Sequence, residues 1–72
     1  MPDPERVAEA QRQVREGEER LARQLVVIRK LKIAGHHDEA EAARDLLAVL
    51  TDTLRAARQH LQIERETHGI GR

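Results

Sequence analysis

The chain has 72 residues, 13 basic and 13 acidic side chains that cancel to zero net charge, and no Cys, Phe, Tyr or Trp. This length allows one domain with a marginal core, and the absence of Cys excludes disulfides. Zero net charge excludes a general attraction to nucleic acid or membranes, and the missing aromatic residues exclude stacking platforms for bases. We therefore expect residues 1–72 to form a single domain stabilised by assembly.

The first predicted helix begins at Asp3-Pro4-Glu5. The Asp3 carboxylate can accept hydrogen bonds from free backbone N–H groups, and proline is favoured at the first helical position. Glycine often ends a helix in the left-handed conformation, and Gly35 follows a stretch with basic residues. The sequence therefore predicts helix 1 over residues 4–34.

A short connection after Gly35 leads to the second predicted helix. Asp38, with Glu41 three residues later, fits a capping box in which Asp38 is the N-cap. No proline follows, and Gly69 can end the helix in the left-handed conformation. We expect helix 2 over residues 38–68 and a frayed tail over 70–72. So short a connection makes the helices antiparallel neighbours.

Both helices carry apolar residues at heptad spacing, which indicates a seam between them. In helix 1 the seam positions are Val7, Ala10, Val14, Gly17, Leu21, Gln24, Ile28 and Leu31, and in helix 2 they are Ala40, Ala43, Leu47, Leu50, Leu54, Ala57, Leu61, Glu64 and His68. We expect Gly17 to lie opposite Ala56 and Ala57 and to allow close approach; a kink at Gly17 is the alternative. Gln24 either specifies the register or reaches the rim of the seam.

Several apolar residues lie outside the seam and predict a second apolar surface, concentrated near the turn. They are Val26, Val27, Ile33, Leu46, Val49, Ala56 and Ile63. Contiguous apolar surface on a small protein usually marks an interaction site. The predicted fold is thus an all-α, antiparallel two-helix hairpin that dimerises into a four-helix bundle, with a different helical protein as the alternative partner.

Little in the sequence predicts catalysis or metal binding. Thr51, Thr53 and Thr67 are the only hydroxyl side chains, and no glycine-rich phosphate loop is present. His36 and His37 are adjacent and make a poor chelate. The spacing of His60, Glu64 and His68 places them near one helical face, where they could bind zinc or nickel or form a polar end of the bundle. We favour the polar end and expect no enzyme, cofactor or metal.

Nucleic-acid binding is the alternative function. Arg29, Lys30 and Lys32 form a basic end of helix 1 that could contact phosphates. The other arginines of helix 1 lie among acidic residues at spacings of three and four, which is typical of a solvated helical face. We therefore prefer protein–protein interaction. No apolar run is long enough for a membrane span, and no signal peptide is evident, so we expect a cytoplasmic protein.

One segment supports the hairpin independently. It starts with Gly35-His36-His37-Asp38-Glu39-Ala40 and continues with Ala43, Leu46-Leu47, Leu50, Thr53-Leu54, Arg58 and His60-Leu61. This pattern resembles short uncharacterised helical-hairpin proteins of proteobacteria and covers about half of the chain. The resemblance implies a bacterial helical hairpin and no activity, cofactor or binding residue. The preference for Arg over Lys, with abundant Ala and Glu, is also typical of GC-rich bacterial genomes.

Overall fold

The computed structural model describes residues 3–69, which form two α-helices joined by a tight turn. Helix α1 spans Pro4–Ile33 and helix α2 spans His37–Gly69. Three cross-helix contacts set their direction: Gln24 reaches Ala43, Gly17 lies against Leu54, and Glu18 pairs with Arg58. As residue numbers fall along α1 they rise along α2, so the helices are antiparallel. The chain measures 56 × 14 × 11 Å. The predicted all-α hairpin is confirmed.

Helix α1 begins as predicted. The Asp3 backbone is extended, and its carboxylate accepts hydrogen bonds from the backbone N–H groups of Glu5 and Arg6 at 3.1 and 3.4 Å. These bonds satisfy two of the donors that an α-helix leaves free at its N-terminus. Pro4 occupies the first helical position, where its missing N–H costs nothing.

The turn is a Schellman motif. Gly35 has a φ of +79°, and the backbone N–H of His36 donates to the Leu31 carbonyl at 2.9 Å while that of Gly35 donates to Lys32 at 3.1 Å. This pair of bonds defines the motif and requires the left-handed residue predicted at Gly35. Ala34 is the C-cap residue, so the predicted end of α1 is correct to within one residue.

The predicted N-cap of α2 is wrong. The helix starts at His37, one residue early, because the first helical bond runs from the Ala40 N–H to the His36 carbonyl at 2.9 Å. Asp38 therefore lies inside the first turn and forms no capping box with Glu41. The chain passes directly from the Schellman motif into α2, so that His36 takes the N-cap position. Asp38 and Glu39 still place negative charge at the positive end of the helix dipole.

The C-terminal boundary also differs from the prediction. Helix α2 includes Gly69, which was expected to follow the last helical residue. Helix ends are commonly uncertain by one or two residues, so the difference is small. The predicted frayed tail at 70–72 lies outside the described residues.

The seam between the helices is confirmed position by position. The predicted seam residues from Val7 to Glu64 are all buried or half-buried, and the side chain of His68 lies outside the described part of the chain. Within residues 3–69 the buried hydrophobic residues are Ala10, Ile28, Ala40, Ala43 and Leu54, and three of these are alanines. The core is therefore one thin layer of aliphatic side chains.

Gly17 is the point of close approach, and its nearest neighbour is Leu54 rather than Ala56 or Ala57. A Cβ atom at Gly17 would lie 3.0 Å from Leu54 Cδ1 and 3.8 Å from Leu54 Cα. Ala56 and Ala57 line the same groove as Gly17. Helix α1 continues through Gly17 from Pro4 to Ile33.

Gln24 bridges the seam. Its side-chain amide donates a hydrogen bond of 2.8 Å to the Ala43 carbonyl on α2. A side chain that merely reached the rim of the seam would point to water instead. The bond fixes the position of Gln24 on α1 relative to Ala43 on α2. It therefore supports the register role considered for Gln24.

Both helices carry charged residues throughout their length. In the part of the chain that the structure describes, neither helix has a stretch apolar and long enough to cross a bilayer. The cytoplasmic location expected from the sequence stays a prediction.

Candidate interaction surface

The large apolar residues predicted to lie outside the seam are exposed. Ile33 is 81% exposed, Val49 59% and Ile63 57%, while Val26, Val27 and Leu46 are about half exposed. Leu25 is equally exposed and was not predicted. Leu25 could have been recognised from the sequence, because it precedes Val26 and lies outside the heptad seam. The large apolar side chains that lie outside the seam are therefore in contact with solvent.

A shallow groove marks one face of the hairpin. It runs over Gly17 and Leu54 and is lined by Gln13, Glu16 and Arg20 on α1 and by Thr53, Ala56 and His60 on α2. Val27 lies seven residues after Arg20, while Val49 and Ile63 lie seven residues before and after Ala56, so they share this side. We call the side that carries Val27, Leu46, Val49, Ala56 and Ile63 the groove face.

A second apolar surface lies on α1 near the turn. Leu25, Val26 and Ile33 line one shallow depression together with the basic residues Arg29, Lys30 and Lys32. Leu25 is seven residues after Glu18, whose ion pair with Arg58 at 3.1 Å lies on the side opposite the groove. We call this surface the turn patch. The single second surface expected from the sequence is thus divided into two surfaces on different sides of the hairpin.

Helix α2 supplies most of the groove face through a stripe without acidic, Lys or Arg residues. Its members recur at alternating spacings of four and three residues and are all exposed: Ala42, Leu46, Val49, Thr53, Ala56, His60, Ile63 and Thr67. The Thr53 hydroxyl donates to the Val49 carbonyl at 3.0 Å, so its hydrogen-bonding need is met within the helix. This spacing is a second heptad pattern, and it suits contact with another helix.

The hairpin exposes more surface than a compact protein of its size. Its accessible surface is 5643 Å², whereas a compact 8.2 kDa monomer exposes about 4,500 Å². The excess is about 1,100 Å². A standard stable interface buries about 800 Å² on each partner. The hairpin therefore has enough surplus surface for one such interface.

The structure describes the side chains of four of the residues considered for metal binding: His36, His37, His60 and Glu64. His60 Nε2 lies 3.9 Å from a Glu64 carboxylate oxygen. The side chain of His68 lies outside the described part of the chain. Among residues that the structure does describe, no three His, Cys, Asp or Glu side chains are grouped to hold a metal ion. His36 instead approaches Glu39 at 3.4 Å.

Two arginines of α1 lie beside acidic partners on the same helix. Arg12 donates hydrogen bonds to Glu9, and these bonds lower the pKa of the Glu9 carboxyl. Arg20 approaches Glu16 at 3.7 Å. Such exposed pairs add little to stability, but they neutralise each other locally. These pairs are typical of the solvated helical face expected from the sequence.

The basic residues near the turn, in contrast, have exposed apolar neighbours. Arg29, Lys30 and Lys32 form no ion pair within residues 3–69, and they alternate with the exposed apolar side chains of Leu25, Val26 and Ile33. A surface for phosphates alone would leave those apolar side chains in water. The composition of the turn patch therefore favours a protein over nucleic acid.

Comparison with known proteins adds no assignment. The chain matches no protein-family model, and neither a curated protein nor a solved structure is significantly similar to it. The resemblance to proteobacterial helical-hairpin proteins stays a prediction. The functional argument therefore rests on the exposed surfaces.

Proposed function

We propose that this protein is a non-enzymatic interaction and assembly module that works by burying exposed apolar helical surface against another chain. The observation that carries the proposal is the pair of apolar surfaces left outside a thin core. Burying one large aliphatic side chain contributes roughly 1.5–3 kcal/mol. The proposed partner-binding residues are Val26, Val27, Ile33, Leu46, Val49 and Ile63, with Leu25 added by its exposure.

The proposed partner on the groove face is a second copy of the chain. Two hairpins joined through this face form a four-helix bundle, in which each helix contacts two neighbours and the shallow groove over Gly17 is covered. The turn patch stays outside such a bundle, and a different helical protein is its proposed partner. The mechanism in both cases is binding alone.

The test is a glutamate substitution on the groove face. Val49→Glu places a charge on a residue that is 59% exposed in the hairpin and buried in the proposed dimer. Because the dimer contains two copies, losing about 2 kcal/mol at each weakens dimerisation by at least about 100-fold. Leu46→Glu has the same expected effect. Sedimentation over a concentration series measures the dissociation constant.

Ala48→Glu is the matched control. Ala48 is the exposed neighbour of Val49 on the same helix, and it lies outside the groove face. The control adds the same side chain and the same charge, so we expect dimerisation to be unchanged. If Val49→Glu and Leu46→Glu associate as strongly as the control, the proposed surface is wrong.

A further inference from the structure

We infer that the turn patch binds an acidic amphipathic helix of another protein. The inference rests on the proposed function and deepens it, because it names the chemistry of the partner for the surface that stays outside the dimer. The turn patch consists of three exposed aliphatic side chains and three basic ones. Each kind of side chain restricts the partner in its own way.

The aliphatic side chains form a short stripe along α1. Val26 and Ile33 are seven residues apart, and Leu25 directly precedes Val26. At about 1.5 Å per residue the stripe is about 12 Å long, which matches about two turns of a second helix. The side of a helix has no free backbone N–H or C=O groups with which an extended peptide could pair. A helical partner therefore suits this surface better than an extended one.

Basic side chains lie on both sides of this stripe. Arg29 and Lys30 follow Val26 by three and four residues, which places them on opposite sides of the stripe. Lys32 follows Leu25 by seven residues and lies beside it. All three basic side chains are exposed and have no ion-pair partner among residues 3–69. A helix that packs on the stripe therefore meets unpaired positive charge along both of its edges.

The surrounding sequence does not supply the negative charge. Residues 20–37 contain five Lys and Arg residues and no Asp or Glu, although the whole chain has zero net charge. The first acidic residues after this stretch are Asp38 and Glu39 on α2, and Glu39 approaches His36 at 3.4 Å. Opposite charges across an interface speed association and select against partners of like charge. The turn patch therefore favours a helix that carries Asp or Glu beside its apolar residues.

An anionic membrane also combines negative charge with apolar material, but the turn patch fits it less well. Helices that lie in a membrane interface have an extensive apolar face, commonly with Trp or Phe, and a polar face rich in Lys and Arg. The chain contains no Phe, Tyr or Trp. Glu18 and Glu19 precede the first two members of the stripe by seven residues each, on the same side of α1, where anionic lipids would repel them.

The test is the binding of a synthetic helix to the full chain. The probe is a rhodamine-labelled peptide of about 14 residues, or two heptads, with Leu at the a and d positions and Glu at the flanking positions. Its counterpart has Lys in place of Glu. Fluorescence anisotropy measures both dissociation constants. We expect the Glu peptide to bind at least about tenfold more tightly than the Lys peptide at about 50 mM salt, and the difference to shrink at about 500 mM, where charges are screened.

Two variants test the two components of the patch. Arg29→Gln/Lys30→Gln/Lys32→Gln removes its charges and introduces good helix formers, so the preference for the Glu peptide should fall below about threefold. Ile33→Ala removes apolar surface from a side chain that is 81% exposed in the hairpin. It should weaken binding of the Glu peptide about fivefold to tenfold at both salt concentrations, because the charges are unchanged.

Arg15→Gln/Arg55→Gln/Arg65→Gln is the matched control. It removes three exposed positive charges outside the turn patch and the groove face, so the net charge changes equally. We expect this control to keep the full preference for the Glu peptide. Equal binding of the two peptides by the wild type, or a preference that survives removal of the patch charges, would overturn the inference.

Two other results would assign the patch to a different occupant and also overturn the inference. One is the absence of a peptide preference together with patch-dependent binding to phosphatidylcholine vesicles that contain about 30% phosphatidylserine. The other is a mass above the dimer at low salt that the patch variant lacks, which would indicate a further copy of the chain. The mass without peptide separates the two proposals. A dimer that does not select the Glu peptide overturns this inference alone, and a monomer that selects it overturns the dimer alone.

Discussion

The contact between Gly17 and Leu54 makes a quantitative prediction about the core. Leu54 is 2% exposed, so Leu54→Ala should cost about 2–5 kcal/mol. The upper half of this range is expected, because Gly17 has no side chain that could move into the cavity. A domain of this length has about 4–11 kcal/mol of total stability, so the loss should be a large fraction of it.

Gly17→Ala should have different effects on stability in two backgrounds. Replacing glycine by alanine inside a helix stabilises it by about 1 kcal/mol. In the wild type the new Cβ atom would lie 3.0 Å from Leu54 Cδ1, and pushing Leu54 away from its rotamer costs about 0.5–1.5 kcal/mol. The net effect is near zero. In the Leu54→Ala background that atom is absent, so the full gain of about 1 kcal/mol should appear.

A double-mutant cycle measures this difference. Urea unfolding followed by circular dichroism gives the free energy of unfolding for the wild type, both single variants and the double variant at one protein concentration. We expect a coupling energy of about 1 kcal/mol between Gly17 and Leu54. Distant, independent sites are additive within about 0.3–0.5 kcal/mol. A coupling energy below that limit would refute the close approach of the helices at Gly17.

Two further variants test the turn and the register. Gly35→Ala should lower the free energy of unfolding by about 1 kcal/mol, because the φ of +79° at this position is unfavourable for a residue with a Cβ atom; thermal unfolding checks this, and an unchanged midpoint would contradict it. Gln24→Ala removes the bond to the Ala43 carbonyl and should cost about 0.5–1.5 kcal/mol. A Gln24→Ala variant as stable as the wild type would mean that the bond does not contribute to the register.

The hairpin and its seam could be predicted because they depend on local patterns. Heptad spacing identifies the residues between two helices whatever their exact register, so Leu21 and Leu61 were assigned correctly. Asp3 and Gly35 were also assigned correctly, because each has a side chain or backbone conformation that suits one end of α1. These patterns can be recognised within one helix, without knowing how the other helix packs against it.

The register and the sides of the hairpin could not be predicted in the same way. Asp38 resembles an N-cap residue, but the Schellman motif leads straight into α2, and the His36 carbonyl accepts the first helical bond. The contact of Leu54 with Gly17 likewise depends on how the two helices pack together, which no local pattern specifies. The side on which Val26 lies relative to Val49 depends on how the two helices face each other, which heptad spacing alone does not specify.

The central claim is that the hairpin completes its structure by self-association, and its solution mass tests this most directly. Light scattering over a concentration series needs detection by refractive index, because the chain has no Trp or Tyr to absorb in the ultraviolet. We expect a helical species of about 16.4 kDa, twice the chain mass of 8.2 kDa. A fully helical species that stays at 8.2 kDa throughout the series would contradict the claim.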